Sequence, residues 1–218
     1  MLLSVSGIQH PESVKNIIFD FGGVLCNLDV QKTEKKFIEL GMTRPDTKEG
    51  EQERNALFGK IEDGSLSSQD FRNALQKYFQ KTVSDHEIDE AWNALLLDIP
   101  EPRIRFLEKI KNHYRIFLLS NSNEIHYLKY LDTFKRQFGY PGFDALFEKA
   151  YFSFQIKMKK PGREIFDYVI RESSLVPGET LFIDDTLRHV EGARAAGLQA
   201  CHLQIQKGEQ IMDLFQAE

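Results

Sequence analysis

Polar residues stand at the ends of three apolar runs of this chain. The first run closes on Asp20, the second on Ser120 and Asn121, and the third on Asp184 and Asp185. Carboxylates brought together repel each other unless a cation neutralises them, and proteins commonly hold Mg²⁺ with one or two carboxylates and a substrate phosphate. A hydroxyl and an amide beside such a pair complete an inventory suited to phosphoryl transfer. If the run ends meet in the fold, the sequence predicts a phosphoryl-transfer site.

Two further segments add to this set. MKKPG carries Lys159 and Lys160 ahead of a predicted helix and supplies a fixed positive charge for an anion. Gly22 and Gly23 follow Asp20, and residues without side chains let backbone N–H groups approach an oxyanion closely. Asp20 alone would also suit a turn or a helix N-terminus, and a lysine pair alone is usually solvated. The order of all these residues along the chain favours one common site.

The rest of the chain must bring the run ends together. Short apolar runs predict buried parallel strands at 16–19, 115–119, 180–183 and 199–203. Helix-length segments lie at 102–113, 162–173 and 185–196, the last closed by Gly197. This alternation predicts an α/β fold with a doubly wound parallel sheet. Ligands of such sheets bind outside the carboxyl ends of the strands, where the polar residues stand.

The first two strands are too far apart in sequence for a simple crossover. Between them, helical periodicity appears at 30–40, 68–79 and 85–97, with Ser67 or Ser68 available to cap the middle helix. We therefore predict an inserted helical cap domain at 27–100 and a core domain formed by 1–26 and 101–218. An elaborated single core is the alternative.

Composition and charge limit the classes of function. The chain has 218 residues, of which 41% are hydrophobic and 28% charged, so a sizeable core is available. The net charge of −5 argues against nucleic acid or an anionic membrane as the main partner, and no apolar run is long enough to span a bilayer. The first residues lack the pattern of a signal peptide, and the two cysteines, Cys26 and Cys201, suit small buried hydrophobes. We expect a cytoplasmic protein that is a monomer or a weak homodimer.

Four short motifs occur in a diagnostic order. DFGGV, LLSNSN, KKP and FIDDT, with a helical segment after the first, resemble the haloacid dehalogenase (HAD) superfamily over residues 17–203. Within that superfamily the pattern is most similar to small bacterial phosphatases that act on sugar phosphates such as glucose 1-phosphate. The resemblance implies a HAD-like Rossmannoid core with an inserted cap, and a small phosphorylated metabolite as the substrate.

The resemblance also implies a role for each motif residue. Asp20 matches the nucleophile that forms an aspartyl-phosphate, and Lys160 matches the lysine that holds nucleophile and phosphate together. Ser120 matches the phosphate-binding hydroxyl. Asn121, Asn123, Gly22 and Gly23 are grouped with Ser120 at the phosphate.

The same resemblance implies a Mg²⁺ site. Asp20 and Asp185 match its acidic ligands, Asp184 is the acidic neighbour, and the backbone carbonyl of Gly22 completes the protein's share. The metal would polarise the phosphoryl oxygens and relieve repulsion between the nucleophile and phosphate.

One position departs from the family's pattern. Most phosphatases of this superfamily carry a second aspartate two residues after the nucleophile, which protonates the leaving group and later activates water; here that position is Gly22. General acid–base catalysis is typically worth about 10²–10⁴-fold, so substrates with better leaving groups, such as anomeric or acyl phosphates, should suffer least. His126 and His189 are candidate substitutes, although an exposed loop or helix face is the commoner place for such a histidine.

The sequence leaves four functions to weigh. A Mg²⁺-dependent phosphatase that hydrolyses small phosphate monoesters, and sugar phosphates above all, explains every motif. A binding module for phosphometabolites that turns over slowly or not at all is the alternative suggested by Gly22. A dehalogenase ranks lower because it would leave the Asp184–Asp185 pair unexplained, and a phosphomutase is disfavoured by the missing acid/base.

Overall fold

A computed structural model of the protein describes residues 2–3, 10–43 and 47–216. The strands are β1 (Leu2–Leu3), β2 (Asn16–Phe19), β3 (Arg115–Ser120), β4 (Lys149–Phe152), β5 (Thr180–Asp184), β6 (Gln199–His202) and β7 (Phe215–Gln216). The helices are α1 (Val30–Glu39), α2 (Lys48–Glu62), α3 (Ser68–Leu75), α4 (Asp85–Asn93), α5 (Glu101–Ile110), α6 (Glu124–Thr133), α7 (Ser153–Ile156), α8 (Arg163–Glu172) and α9 (Leu187–Ala195). Over the described ranges, no helix combines the length and the apolar character needed to cross a bilayer.

A parallel sheet of five strands, in the order β4-β3-β2-β5-β6, forms the centre of the molecule. Ile17 of β2 pairs with Ile116 of β3 on one side and with Leu181 of β5 on the other. Because these strands are parallel, their carboxyl ends lie at one edge of the sheet. The predicted doubly wound α/β fold is confirmed, and Asp20 directly follows the central strand.

Apolar layers cover both faces of this sheet, which explains why β2 is buried along its whole length. Ile17 belongs to the layer that contains Phe21, whereas Ile18 belongs to the opposite layer with Phe117 and Phe182. Strands that are buried on both faces read as continuous apolar runs, and this is why β2, β3 and β5 were predictable. Both cysteines are buried free thiols, as expected.

Strand β4 was not predicted. Its sequence KAYF begins with an exposed lysine and has only two fully buried side chains, so no apolar run marks it. The other strand ends differ from prediction by one residue: β3 and β5 extend to Ser120 and Asp184, and β6 stops at His202. Helix α9 begins later than predicted, because the Asp184 carboxylate accepts a hydrogen bond from the Thr186 N–H at 2.8 Å and turns the chain first.

Between β2 and β3 the chain forms α1 to α5, and we call α1 to α4 the helical insert (residues 30–93). It has an apolar cluster of its own around Trp92, whose ring centroid lies between 4.9 and 6.2 Å from those of Phe37, Phe58 and Phe71. Three of its helices confirm the predicted ones, and Ser67 caps α3. Helix α2 was missed because its sequence KEGEQERNALFGKIE is strongly polar. The domain boundaries at 27 and 100 stay a prediction.

The helical insert joins the core through two segments that run side by side. The Asn27 N–H donates to the Asp98 carbonyl and the Leu97 N–H donates to the Asn27 carbonyl, both at 2.9 Å. Residues 27–29 and 95–98 therefore leave and re-enter the core as a short hydrogen-bonded pair. We call this pair the hinge.

A second contact, which we call the far attachment, holds the end of α2 against the core. The Ser153 hydroxyl donates to the Glu62 carbonyl at 2.6 Å. Gly64, at φ +69°, lies so close to Phe154 that an added Cβ would be 2.2 Å from the Phe154 carbonyl oxygen. Only a residue without a side chain permits this approach of two backbones.

We expect Gly64→Ala to weaken the far attachment. A Cβ at this left-handed position meets backbone that cannot give way, so the free energy of unfolding should fall by about 2–3 kcal/mol. Gly139→Ala is the matched control, because Gly139 has φ +74° and nothing within 4 Å of an added Cβ; its cost is backbone strain alone, about 1 kcal/mol. Urea unfolding measures both, and equal losses would contradict the close contact.

Candidate active site

The carboxyl ends of β2, β3 and β5 bring the predicted residues together around one cavity of about 1190 Å³. Its core side is lined by Asp20, Gly22, Gly23, Ser120, Asn121, Lys160 and Asp185. The helical insert forms the opposite side. The cavity therefore lies between the sheet edge and the insert, where the sequence predicted it.

Lys160 is the centre of the site's hydrogen bonds. Its Nζ atom is fully buried and donates to Asp20 Oδ1 at 2.7 Å, to Asp184 Oδ2 at 2.7 Å and to the Leu119 carbonyl at 2.9 Å. An ammonium group has three protons, so all of them are used. Lys160 thus fixes one oxygen of Asp20 and leaves the other without this partner.

Asn121 positions Lys160 through its backbone. The Asn121 Oδ1 atom accepts from the Lys160 N–H and its Nδ2 atom donates to the Lys160 carbonyl, both at 2.9 Å. These bonds give Asn121 a positioning role, and because it lines the cavity and its Nδ2 atom has a second proton, its role at the phosphate stays a prediction. Ser120 lines the cavity, and its hydroxyl makes a long 3.5 Å approach to the Asn121 carbonyl. Its contact with the phosphate stays a prediction.

Asn123 does not line the cavity, so this geometry does not support the predicted contact between Asn123 and the phosphate. It is buried and caps α6, since its Oδ1 atom accepts from the His126 N–H at 3.1 Å. The amide at this position is used to start a helix, which is a common use of asparagine.

Three carboxylates crowd the site around Lys160. Asp20, Asp184 and Asp185 each offer an oxygen, and these atoms lie within 4.8 Å of one another. Burial raises the pKa of Asp20 to about 7; the Lys160 charge opposes this rise, and the charges of Asp184 and Asp185 add to it. Burial also raises the pKa of Asp185, with repulsion from Asp184 as the next cause. One ammonium group does not balance three carboxylates, so the site has excess negative charge.

This donor set fits Mg²⁺, which prefers oxygen ligands and tolerates few all-protein contacts. Asp20 and Asp185 have the carboxylate oxygens available to hold it, together with the predicted Gly22 carbonyl at the cavity wall. Asp184 is less suited, because its oxygens already accept from Lys160, from the Thr186 N–H and from His189 Nδ1. Burial opposes ionisation of Asp184, but Lys160 and His189 outweigh it and lower its pKa.

Gly23 makes room for Asp185. An added Cβ would lie 2.3 Å from Asp185 Oδ2, and the residue has φ +78°, so a side chain is excluded on both grounds. Its N–H donates to the Cys26 carbonyl at 2.8 Å, which closes the turn after Asp20. The expectation that the Gly23 N–H approaches an oxyanion is therefore wrong, because that donor is already used.

Gly22 stands where an acid/base aspartate was expected in related phosphatases. An added Cβ would lie 2.7 Å from a methyl carbon (Cδ1) of Leu28. The side chain of Leu28 thus covers the space beside Gly22, and no carboxyl group enters the site from this turn.

The two candidate histidines are buried rather than exposed. His126 stacks on Trp92 at 5.0 Å, its Nδ1 atom bonds Asn93 Oδ1 at 2.9 Å, and burial lowers its pKa to about 3. His189 places Nδ1 3.1 Å from both oxygens of Asp184. His126 is therefore a neutral ring that links insert and core, and His189 supports Asp184.

Sequence reasoning missed the side of the cavity formed by the helical insert. Arg54, Phe58 and Glu62 of α2 line it, together with Trp92 of α4. The Arg54 Nε atom is buried without a hydrogen-bond partner in the described ranges. One feature of the sequence could have indicated this side of the cavity. In IEDG, at the end of α2, a glycine follows two acidic residues where a helix ends.

Comparison with known proteins gives the class of this chain. The sequence profile of the haloacid dehalogenase-like hydrolases matches residues 14–197. D-ribitol-5-phosphate phosphatase of Bacteroides thetaiotaomicron is 31% identical over 186 residues, which are 85% of this chain and 90% of the relative. The chain therefore belongs to the haloacid dehalogenase-like hydrolases, and the predicted resemblance is confirmed.

Solved structures agree with this assignment. A HAD family enzyme from Bacteroides thetaiotaomicron is 34% identical with a TM-score of 0.85, and the alignment covers 94% of this chain and 99% of that chain. A second structure of the same enzyme, in complex with magnesium and inorganic phosphate, is 32% identical with a TM-score of 0.80, covering 93% of this chain and 100% of that chain. The predictions of a phosphate-releasing enzyme and of Mg²⁺ agree with these relatives.

We expect Asp185→Asn to weaken Mg²⁺ binding. The substitution removes one negative charge and one carboxylate oxygen from the crowded site, so the apparent Kd for Mg²⁺ should rise at least about tenfold. The rise of Tm on titration with Mg²⁺ measures this. Asp167→Asn is the control, because Asp167 is exposed and pairs with Arg163 within α8. If both variants respond to Mg²⁺ like the parent protein, Asp185 does not hold the metal.

Proposed function

We propose that this protein is a Mg²⁺-dependent phosphatase that hydrolyses small phosphate monoesters through an aspartyl-phosphate on Asp20. The observation that carries the proposal is the buried Lys160, which holds Asp20 and Asp184 at 2.7 Å, two of the three carboxylates that cluster with Asp185. A nucleophile fixed by a lysine and an acidic site for a cation are the two components that phosphoryl transfer requires.

Each core residue then has a task in the reaction. Asp20 attacks phosphorus with the oxygen that Lys160 does not hold, because Lys160 keeps Oδ1 in place. The Ser120 hydroxyl donates to a phosphoryl oxygen, and the Gly22 N–H, which has no acceptor in the described part of the chain, faces the same cavity. When bound by Asp20 and Asp185, Mg²⁺ neutralises charge on the phosphoryl oxygens.

We further propose that the substrate is a sugar or polyol phosphate. The relative named D-ribitol-5-phosphate phosphatase supports this class, being 31% identical over most of both chains. The helical insert acts as the cap, because Arg54, Glu62 and Trp92 face the same cavity as Asp20. Arg54 has no described ion-pair partner, so its guanidinium is suited to oxygen atoms of the substrate.

We also propose where the protein is located in the cell and what it binds. A cytoplasmic location suits two buried free thiols, Cys26 and Cys201. The net charge of −5 suits a small metabolite rather than nucleic acid or a membrane surface. We retain a monomer or weak homodimer as the expected state.

A dehalogenase and a binding module are the competing functions. Displacement of halide from carbon needs no metal, and it would leave the excess negative charge of Asp184 and Asp185 without a purpose. A binding module is favoured by one observation, the absence of a carboxyl group at Gly22. A phosphatase releases phosphate, a dehalogenase releases halide and a binding module releases neither, so one assay separates the three.

We expect phosphate release from purified protein only when Mg²⁺ is present. The substrates are ribitol 5-phosphate, sugar 1-phosphates, sugar 6-phosphates, an acyl phosphate and a 2-haloacid. Asp20→Asn should lower kcat by at least about 10³-fold, because the amide cannot act as the nucleophile. Asp167→Asn again serves as the unaffected control.

The outcomes are distinct. Metal-dependent release that is lost in Asp20→Asn supports the phosphatase, and faster turnover of anomeric or acyl phosphates supports the importance of the leaving group. Halide release without metal would support the dehalogenase. Binding of phosphate with Mg²⁺ but no release from any substrate would overturn the enzyme in favour of a binding module.

A further inference from the structure

Among the described residues, the core side of the site has no evident group to exchange protons with the leaving group and with water. Gly22 has no carboxyl, and the Leu28 side chain occupies the adjacent space. His126 is neutral and bonded to Asn93, and His189 is bonded to Asp184. If the protein is a phosphatase, as proposed above, a group from elsewhere must carry out this transfer.

Glu62 of the helical insert reaches the same cavity as Asp20 and Lys160. It is the last residue of α2, and its backbone is part of the far attachment through the 2.6 Å bond from Ser153 Oγ. The same Ser153 oxygen accepts from the Ser122 N–H at 2.9 Å, two residues beyond Ser120. One hydroxyl therefore ties Glu62 to the turn that carries the predicted phosphate-binding serine.

Two further contacts fix the end of α2. Gly64 packs against the Phe154 carbonyl, and Lys159 Nζ donates to the Gly59 carbonyl at 3.4 Å. Lys159 precedes Lys160 directly. The position of Glu62 over the cavity is thus set by contacts to the loops that carry the catalytic residues.

Glu62 is half-buried, and its carboxyl group has no partner among the described residues. Within the described residues it accepts no hydrogen bond and forms no ion pair. Burial raises its pKa; Lys159 and Arg188 act in the opposite direction, and Asp63 adds to the rise. Burial also raises the pKa of the Tyr130 hydroxyl, to which the charges of both Asp20 and Glu62 contribute. Asp20, Glu62 and Tyr130 all line the same cavity.

Other carboxyl groups at the cavity are already engaged. Glu209 Oε2 accepts from the Gln204 N–H at 2.8 Å, and Glu34 has an interaction of its own. Asp185 belongs to the acidic cluster around the metal site. Glu62 remains as the carboxyl that faces the cavity and is available for proton transfer.

We propose that Glu62 is the general acid and base of this enzyme, supplied by the helical insert in place of the residue missing at position 22. In the first step Asp20 forms a bond to phosphorus, the bond from phosphorus to the leaving oxygen breaks, and the protonated Glu62 gives its proton to that oxygen. In the second step the Glu62 carboxylate takes a proton from water, whose oxygen bonds to phosphorus as the bond to Asp20 breaks. Phosphate leaves, and both carboxyl groups return to their starting states.

The test uses Glu62→Gln, which keeps the size of the side chain and removes its proton exchange. On ribitol 5-phosphate, or on whichever alkyl phosphate the parent enzyme hydrolyses, kcat should fall by about 10²–10⁴-fold. With p-nitrophenyl phosphate the leaving group needs no proton, so the first step should persist. We then expect a burst of one nitrophenolate per enzyme, followed by slow turnover.

A second readout follows the intermediate itself. During slow turnover of p-nitrophenyl phosphate, intact mass spectrometry should detect the added mass of one phosphoryl group on Glu62→Gln. The Kd for inorganic phosphate with Mg²⁺ should stay unchanged, which separates proton transfer from a loss of structure. Glu53→Gln is the matched control, because Glu53 lies on the same helix with an exposed carboxylate near Lys77.

The results also separate this inference from the proposed function. An inactive parent enzyme would overturn the phosphatase itself. An active parent with a Glu62→Gln variant that keeps kcat on alkyl phosphates, or that changes only KM, would overturn the role of Glu62 alone. If Glu62→Gln also gives no burst of nitrophenolate from p-nitrophenyl phosphate, Glu62 is likewise excluded as the group that acts on the leaving oxygen.

Discussion

The ion pairs of Lys160 are the interaction on which the rest of the site depends. A buried ammonium group is costly to desolvate, and two buried carboxylates at 2.7 Å together with a backbone carbonyl offset that cost. The same contacts join three elements, since Asp20 follows β2, Leu119 belongs to β3 and Asp184 ends β5. Buried ion pairs are often no more stabilising than well-packed apolar side chains, so we explain this arrangement by chemistry rather than by folding.

Much of the fold was predictable because the central strands are buried on both faces. Such strands leave continuous apolar runs in the sequence, and the polar residues after them then fall at one edge of the sheet. Asp20, Ser120 and Asp185 were found in this way, and Lys160 by its motif. Edge strand β4 and helix α2 were not found, because an element that buries little of its surface carries a weak pattern.

The errors within the site have a common cause. A motif gives the type of a side chain but not the partner it has already taken. Asn123 caps a helix, and the Gly23 N–H closes a turn. Each of these residues lies in the predicted region, but the polar atoms named here already form hydrogen bonds within the protein. Contacts between segments far apart in sequence, such as Glu62 with Ser153, have no local signal at all.

The attachment of the insert to the core and the lining of the cavity depend on different atoms of the insert. The approach of Gly64 to Phe154 and the bond to the Glu62 carbonyl involve main-chain atoms of the insert, whereas the cavity wall is formed by side chains such as Arg54 and Phe58. Substitutions of Arg54 or Phe58 leave these main-chain contacts in place. Substrate preference can therefore change through the side chains of α2 while the insert stays attached to the core.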